Sequence, residues 1–321
     1  MRVQREFYKS LKDLPREEPI TPGSPLCAGC GALSTLRLMH KTMGKDVVVV
    51  NAAGCMTLMA VYPFTPLRSS WLYTTMGSAS AGAQGIRDAL DILKAKGRLK
   101  PEDDLQVLVL AGDGSTYEMG LSSTSAAIHR GLDFWYLCYD NEAYGNTGFQ
   151  SSAASPFATH TSTAPEGGVQ EKKDLFAIWL AHRPPYAATV CAHDAVDLAE
   201  KVRRAESCHG PKLFLSLAVC PTGWGFDPEL SDEVARLAIE TGVWPLKESI
   251  NVEVRHTYIP NRRRPVEEYL KPQRRFRHLF LPTRREETLR HNQASVDAYW
   301  RDVETTSPPR DSQPKQARET T

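Results

Sequence analysis

The cysteines and one glycine-framed aspartate carry most of the reactive chemistry of this 321-residue chain. Cys27-Ala28-Gly29-Cys30 puts two thiols on one tight turn, where both can reach a single metal centre. That spacing alone serves zinc, a redox dithiol or an iron–sulfur centre. Cys55, in Ala53-Gly54-Cys55-Met56, and Cys220, in Val219-Cys220-Pro221-Thr222-Gly223, each follow an apolar run that reads as a strand. Both therefore fall on the rim where parallel sheets bind ligands. Cys220-Pro221 also has the Cys-Pro ending of ferredoxin cluster runs. Spacing leaves the four open between a zinc site and an iron–sulfur cluster. Cys138 lies inside an apolar run and reads as a small buried hydrophobe, while Cys191 and Cys208 flank a helical pattern without a partner motif. An odd count of seven cysteines, behind an N-terminus without an apolar leader, argues against a disulfide framework and for a cytoplasmic chain.

The second constellation is Gly112-Asp113-Gly114-Ser115, separated from Asn141 by the 26 residues that follow Gly114. An apolar run ends at Ala111, and the glycines let the backbone approach a diphosphate closely. Asp113 then offers a carboxylate oxygen to Mg²⁺. The next apolar run ends at Tyr139 and delivers the Asn141 side-chain oxygen and a neighbouring carbonyl to the same ion. Magnesium takes hard oxygen ligands in an octahedral array and bridges protein to phosphate. A Gly-Asp-Gly turn alone is common; with an asparagine at this interval, both after strands, it is a thiamine diphosphate signature. No Gly-x-Gly-x-x-Gly follows an early strand, which disfavours a Rossmann site. Gly77, Gly82 and Gly85 fall in a helical pattern and read as close-packing positions.

These residues need elements to position them. Strand-like runs at 47–51, 105–110, 134–139, 186–190 and 213–218 alternate with helical patterns at 78–96, up to 130, 175–182 and 196–207. The alternation predicts an α/β fold, a parallel sheet with helices on both faces, and places the motifs at the carboxyl ends of strands. Residues 1–24 read as an N-terminal arm, 25–225 as the cofactor domain, 226–304 as an Arg/Pro-rich extension for subunit contacts, and 305–321 as a disorder-prone tail. The polar stretch 140–170 is long enough for a functional loop. A hydrophobic content of 41% with 24% charged residues excludes wholesale disorder. A net charge of +1 speaks against nucleic acid or anionic lipid held by bulk charge, and no apolar stretch approaches the roughly 18 residues of a membrane helix.

Leu26-Cys27-Ala28-Gly29-Cys30-Gly31, Gly54-Cys55-Met56, Gly112-Asp113-Gly114, Tyr139-Asp140-Asn141-Glu142-Ala143-Tyr144-Gly145-Asn146-Thr147-Gly148 and Cys220-Pro221-Thr222-Gly223-Trp224 occur together here, followed by Glu240-Thr241-Gly242-Val243-Trp244-Pro245. Over about residues 20–295 the chain resembles the β subunit of pyruvate:ferredoxin oxidoreductases, in the 2-oxoacid:ferredoxin oxidoreductase family. The resemblance implies a [4Fe–4S] cluster on Cys27, Cys30, Cys55 and Cys220, close to thiamine diphosphate. It implies Mg²⁺ on Asp113, Asn141 and the Ala143 carbonyl, with Gly112, Asp113, Gly114 and Ser115 lining the diphosphate. Asn146 would be the catalytic residue near the reacting carbon, and Cys55 would serve both cluster and cofactor pocket. Some relatives carry Thr at position 141, and Asn51-Ala52-Ala53 stands where close relatives have His-Ala-Thr, a departure that bears on the substrate.

The implied reaction is oxidative decarboxylation of a 2-oxo acid to acyl-CoA and CO₂, or its reverse, with one-electron transfer to ferredoxin. Pyruvate is the expected substrate; a branched-chain or aromatic 2-oxo acid and 2-oxoglutarate are the alternatives. The glutamate that activates the thiamine aminopyrimidine belongs to a pyrimidine-binding domain that has no counterpart here. The chain is therefore expected to work only with α and other subunits of the same oxidoreductase. Two other readings stand beside this one: a thiamine-dependent decarboxylase or synthase half carrying zinc, and a zinc-stabilised structural subunit without catalysis.

Overall fold

Runs of β-branched residues favour the pleated strand, and Val47-Val48-Val49-Val50 opens the first of eight. A computed structural model describes residues 5–61, 63 and 65–306. Its strands are β1 (Val47–Ala52), β2 (Ser70–Thr74), β3 (Gln106–Gly112), β4 (Trp135–Asp140), β5 (Tyr186–Cys191), β6 (Lys212–Leu217), β7 (Lys247–Ile250) and β8 (Glu253–His256). They form one sheet in the order β2-β1-β3-β4-β6-β5-β7-β8. The first six are parallel; β7 and β8 add an antiparallel pair beyond β5. The expected α/β architecture is present.

Parallel strands buried on both faces carry apolar residues at every position. β3 does so: Val107, Val109 and Ala111 enter one core, and Leu108 and Leu110 the other. The helices divide between the faces. Those on the first are α2 (Ala79–Ala95), α3 (Leu121–His129), α4 (Leu175–Ala181) and α7 (Ser231–Glu240). The second face is covered by α1 (Gly31–Met43), through Leu36, Met39 and Met43, and by α5 (Ala195–Glu206), through Leu198 and Val202. A short α6 (Pro221–Trp224), α8 (Val266–Leu270) and α9 (Glu286–Thr306) complete the set used below.

Several elements were illegible in the sequence. β2 is an edge strand, half-exposed, and lacks the apolar run of the interior strands. β7 reads Lys-Glu-Ser-Ile, yet Glu248 is buried there because Tyr186 donates to it at 2.5 Å, Arg204 at 3.1 Å and Arg255 at 2.8 Å. In the Arg-rich segment after 225, Arg264 pairs with Glu240 and Glu268, Arg284 with Glu267 and Glu286, and Arg275 with Glu142, all within this chain. Gly82 behaves as a packing glycine against Val50, Leu72 and Thr74, whereas Gly85 faces open space. All seven cysteines are free, and Cys138 and Cys191 are buried. Nearly all of the expected tail lies outside the described residues.

Phe214 sits at the centre of the sheet, fully buried, 5.8 Å from the Trp135 ring and 5.6 Å from Tyr186. Phe214→Ala should cost about 3–5 kcal/mol, read as a lowered midpoint in urea unfolding with an unchanged slope.

Candidate functional site

Strand order decides what meets what. β1, β3, β4 and β6 are consecutive neighbours and all parallel, so their carboxyl ends form one row. Immediately beyond them come Cys55, Asp113, Asn141 and Cys220. The CxxC joins this row because it precedes α1, whose Gly31 N–H donates to the Val219 carbonyl at 3.0 Å. The turn can sit that close because Gly29 takes φ +71°, where a side chain would strike the Pro228 carbonyl.

A cavity of about 170 Å³ opens at the β1, β3 and β4 ends. Its lining includes Cys55, Gly112, Asp113, Gly114, Asn141, Ala143 and Asn146, seven of the residues singled out in the sequence. Ser115 is not on its wall; it is buried in a π-helical turn (Gly114–Met119) and donates to the Met76 carbonyl. Asn146 is exposed at the mouth. Gly114 has Tyr144 lying directly against it, in a position that any side chain at 114 would exclude. Tyr144 is held there by a 2.7 Å hydrogen bond to Glu118.

Within the cavity, one end of the Asn141 amide lies 2.7 Å from Asp113 Oδ1 and 2.7 Å from the Ala143 carbonyl oxygen. Nitrogen at that end donates to both acceptors; oxygen there makes three acceptors meet without a proton between them. A cation is the partner that such a meeting fits. Oxygens about 2.0–2.1 Å from an octahedral Mg²⁺ stand about 2.9 Å apart, close to the spacing found. Asp113 adds a second argument. It is buried with one hydroxyl donor, Ser152, and burial together with Asp140 pushes its carboxyl well above the usual range. A bound cation reverses that penalty. The residues fit a magnesium-anchored diphosphate.

The thiols present a different geometry. Burial pushes Cys55 up to about 12, with Cys220, Cys30, Cys27 and Asp113 adding to the rise. Cys220 is pushed up to about 11 by burial, then by Cys30 and Cys27, against the Gly223 N–H, which donates to its sulfur at 3.3 Å. The four sulfurs thus lie within electrostatic reach of one another. Among the described residues no three His, Cys, Asp or Glu side chains already form a ligand shell. Four thiols that oppose one another's ionisation match the donor set of a sulfur-ligated centre, which is cationic in its iron or zinc. Cys138 and Cys191 point into the cores instead.

The loop that carries Asn141 is braced by buried charge that the sequence did not reveal. Lys172 reaches Asp140 at 2.7 Å and Glu142 at 3.0 Å; Arg275 reaches Glu142 at 2.6 Å and stacks 3.8 Å over Trp224. Trp224 Nε1 donates to the Asn141 carbonyl at 2.9 Å, and Tyr117 OH to Asp140 at 2.6 Å. Burial alone would raise Glu142, but Lys172 and Arg275 outweigh it and hold the carboxyl below its ordinary value. No local motif could have announced Arg275, which stands 133 residues from its partner. Ser152 was likewise hidden in the polar loop, whose length was the only signal. Asn51, at the β1 end, is fully buried with both amide atoms unpaired.

Residues 52–214 match the family described as "Thiamine pyrophosphate enzyme, C-terminal TPP binding domain". The chain is 45% identical over 275 residues to the pyruvate synthase subunit PorB of Methanocaldococcus jannaschii, covering 84% of this chain and 92% of that one. It is 37% identical to the ketoisovalerate oxidoreductase subunit VorB of Pyrococcus horikoshii, covering 87% and 91%. A solved 2-oxoglutarate:ferredoxin oxidoreductase from Magnetococcus marinus shares the fold, with a TM-score of 0.55 at 22% identity over 73% of this chain and 84% of that chain.

Removing one member of the brace leaves a buried carboxylate underpaired. Arg275→Met should cost about 3–5 kcal/mol in denaturant unfolding. Arg275→Lys should recover only part of it, because an ammonium lacks the planar fork that lies on Trp224.

Proposed function

The chain belongs to the 2-oxoacid:ferredoxin oxidoreductase family as a thiamine pyrophosphate-binding, pyruvate synthase PorB-type subunit, and from that premise we propose that it anchors thiamine diphosphate through Mg²⁺ on Asp113, Asn141 and the Ala143 carbonyl, beside a [4Fe–4S] cluster on Cys27, Cys30, Cys55 and Cys220. One observation carries this reading: the Asn141 amide stands 2.7 Å from both Asp113 Oδ1 and the Ala143 carbonyl, inside a cavity also lined by Cys55. When bound, the thiamine supplies an electron sink for decarboxylation and the cluster a one-electron acceptor.

The chain's own residues do the positioning. Gly112 and Gly114 let the Tyr139 and Tyr144 rings close against the cavity wall, and Ser115 fixes the turn through its bond to Met76. Ser152 holds the second oxygen of Asp113, so that the first is presented to the cation. Cys55 lines the cofactor cavity and lies within electrostatic reach of the other three thiols, which makes it the contact between the two proposed centres. Asn146, at the mouth, is placed to hydrogen-bond a substrate carbonyl or carboxylate. Pyruvate is the proposed 2-oxo acid and coenzyme A the acyl acceptor, with ferredoxin receiving the electrons. The α and other subunits complete the site, since no carboxylate of the cavity wall other than Asp113 is available to the aminopyrimidine.

Four experiments test this. Asp113→Ala should abolish Mg²⁺-dependent thiamine diphosphate binding, measured by quenching of intrinsic fluorescence, while iron content stays unchanged. Cys220→Ser should do the converse, lowering iron and the absorbance near 400 nm, with Cys138→Ala as the silent control. Undiminished cofactor affinity in Asp113→Ala would place the ion elsewhere. The reconstituted complex, given a panel of 2-oxo acids with coenzyme A and a viologen acceptor, should form acyl-CoA fastest from pyruvate. The chain expressed alone should give no turnover; activity without partners would reveal a complete site in this subunit.

A further inference from the structure

A second cavity borders the Asn141 loop through Glu142 but is distinct from the thiamine site. It has a volume of about 290 Å³, sits between α4, α8, α9 and β7, and shares no lining residue with the cofactor cavity. Most of its wall is apolar, with Phe176, Val243 and Val296 among the contributors. A void of about 150 Å³ already accommodates benzene, so this one has room for a ring and a polar group.

The charged side chains around it have ion-pair or hydrogen-bond partners, with one exception. Lys172 is taken by Asp140 and Glu142, Glu142 also by Arg275, and Glu171 by His291 at 2.6 Å. Lys173 donates to the Tyr117 carbonyl at 2.6 Å, and Asp174 caps α4 through the Ala177 N–H at 2.9 Å. Lys247 is the exception: among the described residues its ammonium has no ion pair and no hydrogen bond. Its Nζ lies 4.5 Å over the Phe176 ring and 5.0 Å over Tyr299. Burial holds it below the ordinary lysine value, with Asp174 opposing the shift. A half-buried ammonium that lies over two rings, with Asp174 acting on it from a distance but no hydrogen-bond partner among the described residues, lacks the close pairing that desolvated charges normally have. Tyr269, another wall residue, is buried with a hydroxyl that finds no partner.

We propose that this cavity binds a small apolar monocarboxylate, aromatic or branched, with its carboxylate on Lys247 and its hydrocarbon part against Phe176, Val243 and Val296. Lys247, the one wall ammonium without a hydrogen-bond partner among the described residues, matches a single negative charge on an apolar body. Glu171 and Asp174, also on the wall, disfavour phosphates and dicarboxylates.

Benzoate is the probe, with benzamide as its uncharged isostere, titrated calorimetrically into the purified complex. Benzoate should bind saturably, and benzamide about tenfold more weakly or worse, the value of one charge-assisted contact. Lys247→Met should weaken benzoate by a similar factor and leave benzamide unchanged. Val296→Phe, which fills the cavity and keeps Lys247, should abolish both, and it stands as the test if Lys247→Met does not fold. No saturable benzoate binding, equal affinity for benzamide, or binding indifferent to both substitutions would overturn the proposal. The readout is heat rather than turnover, so its failure is separable from any failure of the thiamine reading.

Discussion

Everything at the site depends on the parallel pairing of β1, β3, β4 and β6 as neighbours. Parallel strands point their carboxyl ends the same way, so four loops that are far apart in sequence emerge side by side. The register finishes the placement: Gly112 pairs with Tyr139, and Asp140 with Leu217, which brings the Asn141 loop, the Gly-Asp-Gly turn and the Cys220 turn to one height. A strand order that separated β3 from β4 would carry Asn141 out of reach of Asp113. Antiparallel pairing would send their loops to opposite edges.

That arrangement imposes an electrostatic cost. Asp113, Asp140 and Glu142 are all buried within a few residues of one another in space, and like charges in a dry interior oppose ionisation. Lys172 and Arg275 offset two of the three. Asp113 alone keeps a hydroxyl for company, and it is the carboxylate that faces the cavity. The protein therefore neutralises the charges that shape the loop and leaves unneutralised the one that lines the cavity. The Arg-rich segment acquires a role in this light: Arg275 comes from beyond the sheet to brace the loop from behind, and its neighbours fasten α7, α8 and α9 to one another.

The thiols obey a looser constraint. Their segments are anchored by backbone, through the bond from Gly31 to Val219 and the packing of Gly29 on Pro228, rather than by contacts between the sulfurs. The polypeptide brings four donors within electrostatic reach of one another without closing them into a ligand shell among the described residues. Cys55, at the start of a short 3₁₀ turn after β1, is the member that also faces the cofactor cavity.

Much of this was written locally. Strands whose two faces are both buried must be apolar throughout, so β1, β3, β4, β5 and β6 announced themselves, and the residues just past them carried the reactive types. The Gly-Asp-Gly turn, Asn141 and the four cysteines were legible because the chemistry demands particular side chains at particular strand ends. β2, β7 and β8 were not, because edge and antiparallel strands are stabilised by what lies beside them; Glu248 is buried in β7 only through Tyr186, Arg204 and Arg255. Nor could local pattern reveal Ser152 on Asp113, Arg275 on Glu142 or the unpaired Lys247 in its apolar cavity. A side chain's type is a property of its own position, whereas its partner, its burial and therefore its charge balance are set by residues that only the packed sheet brings alongside.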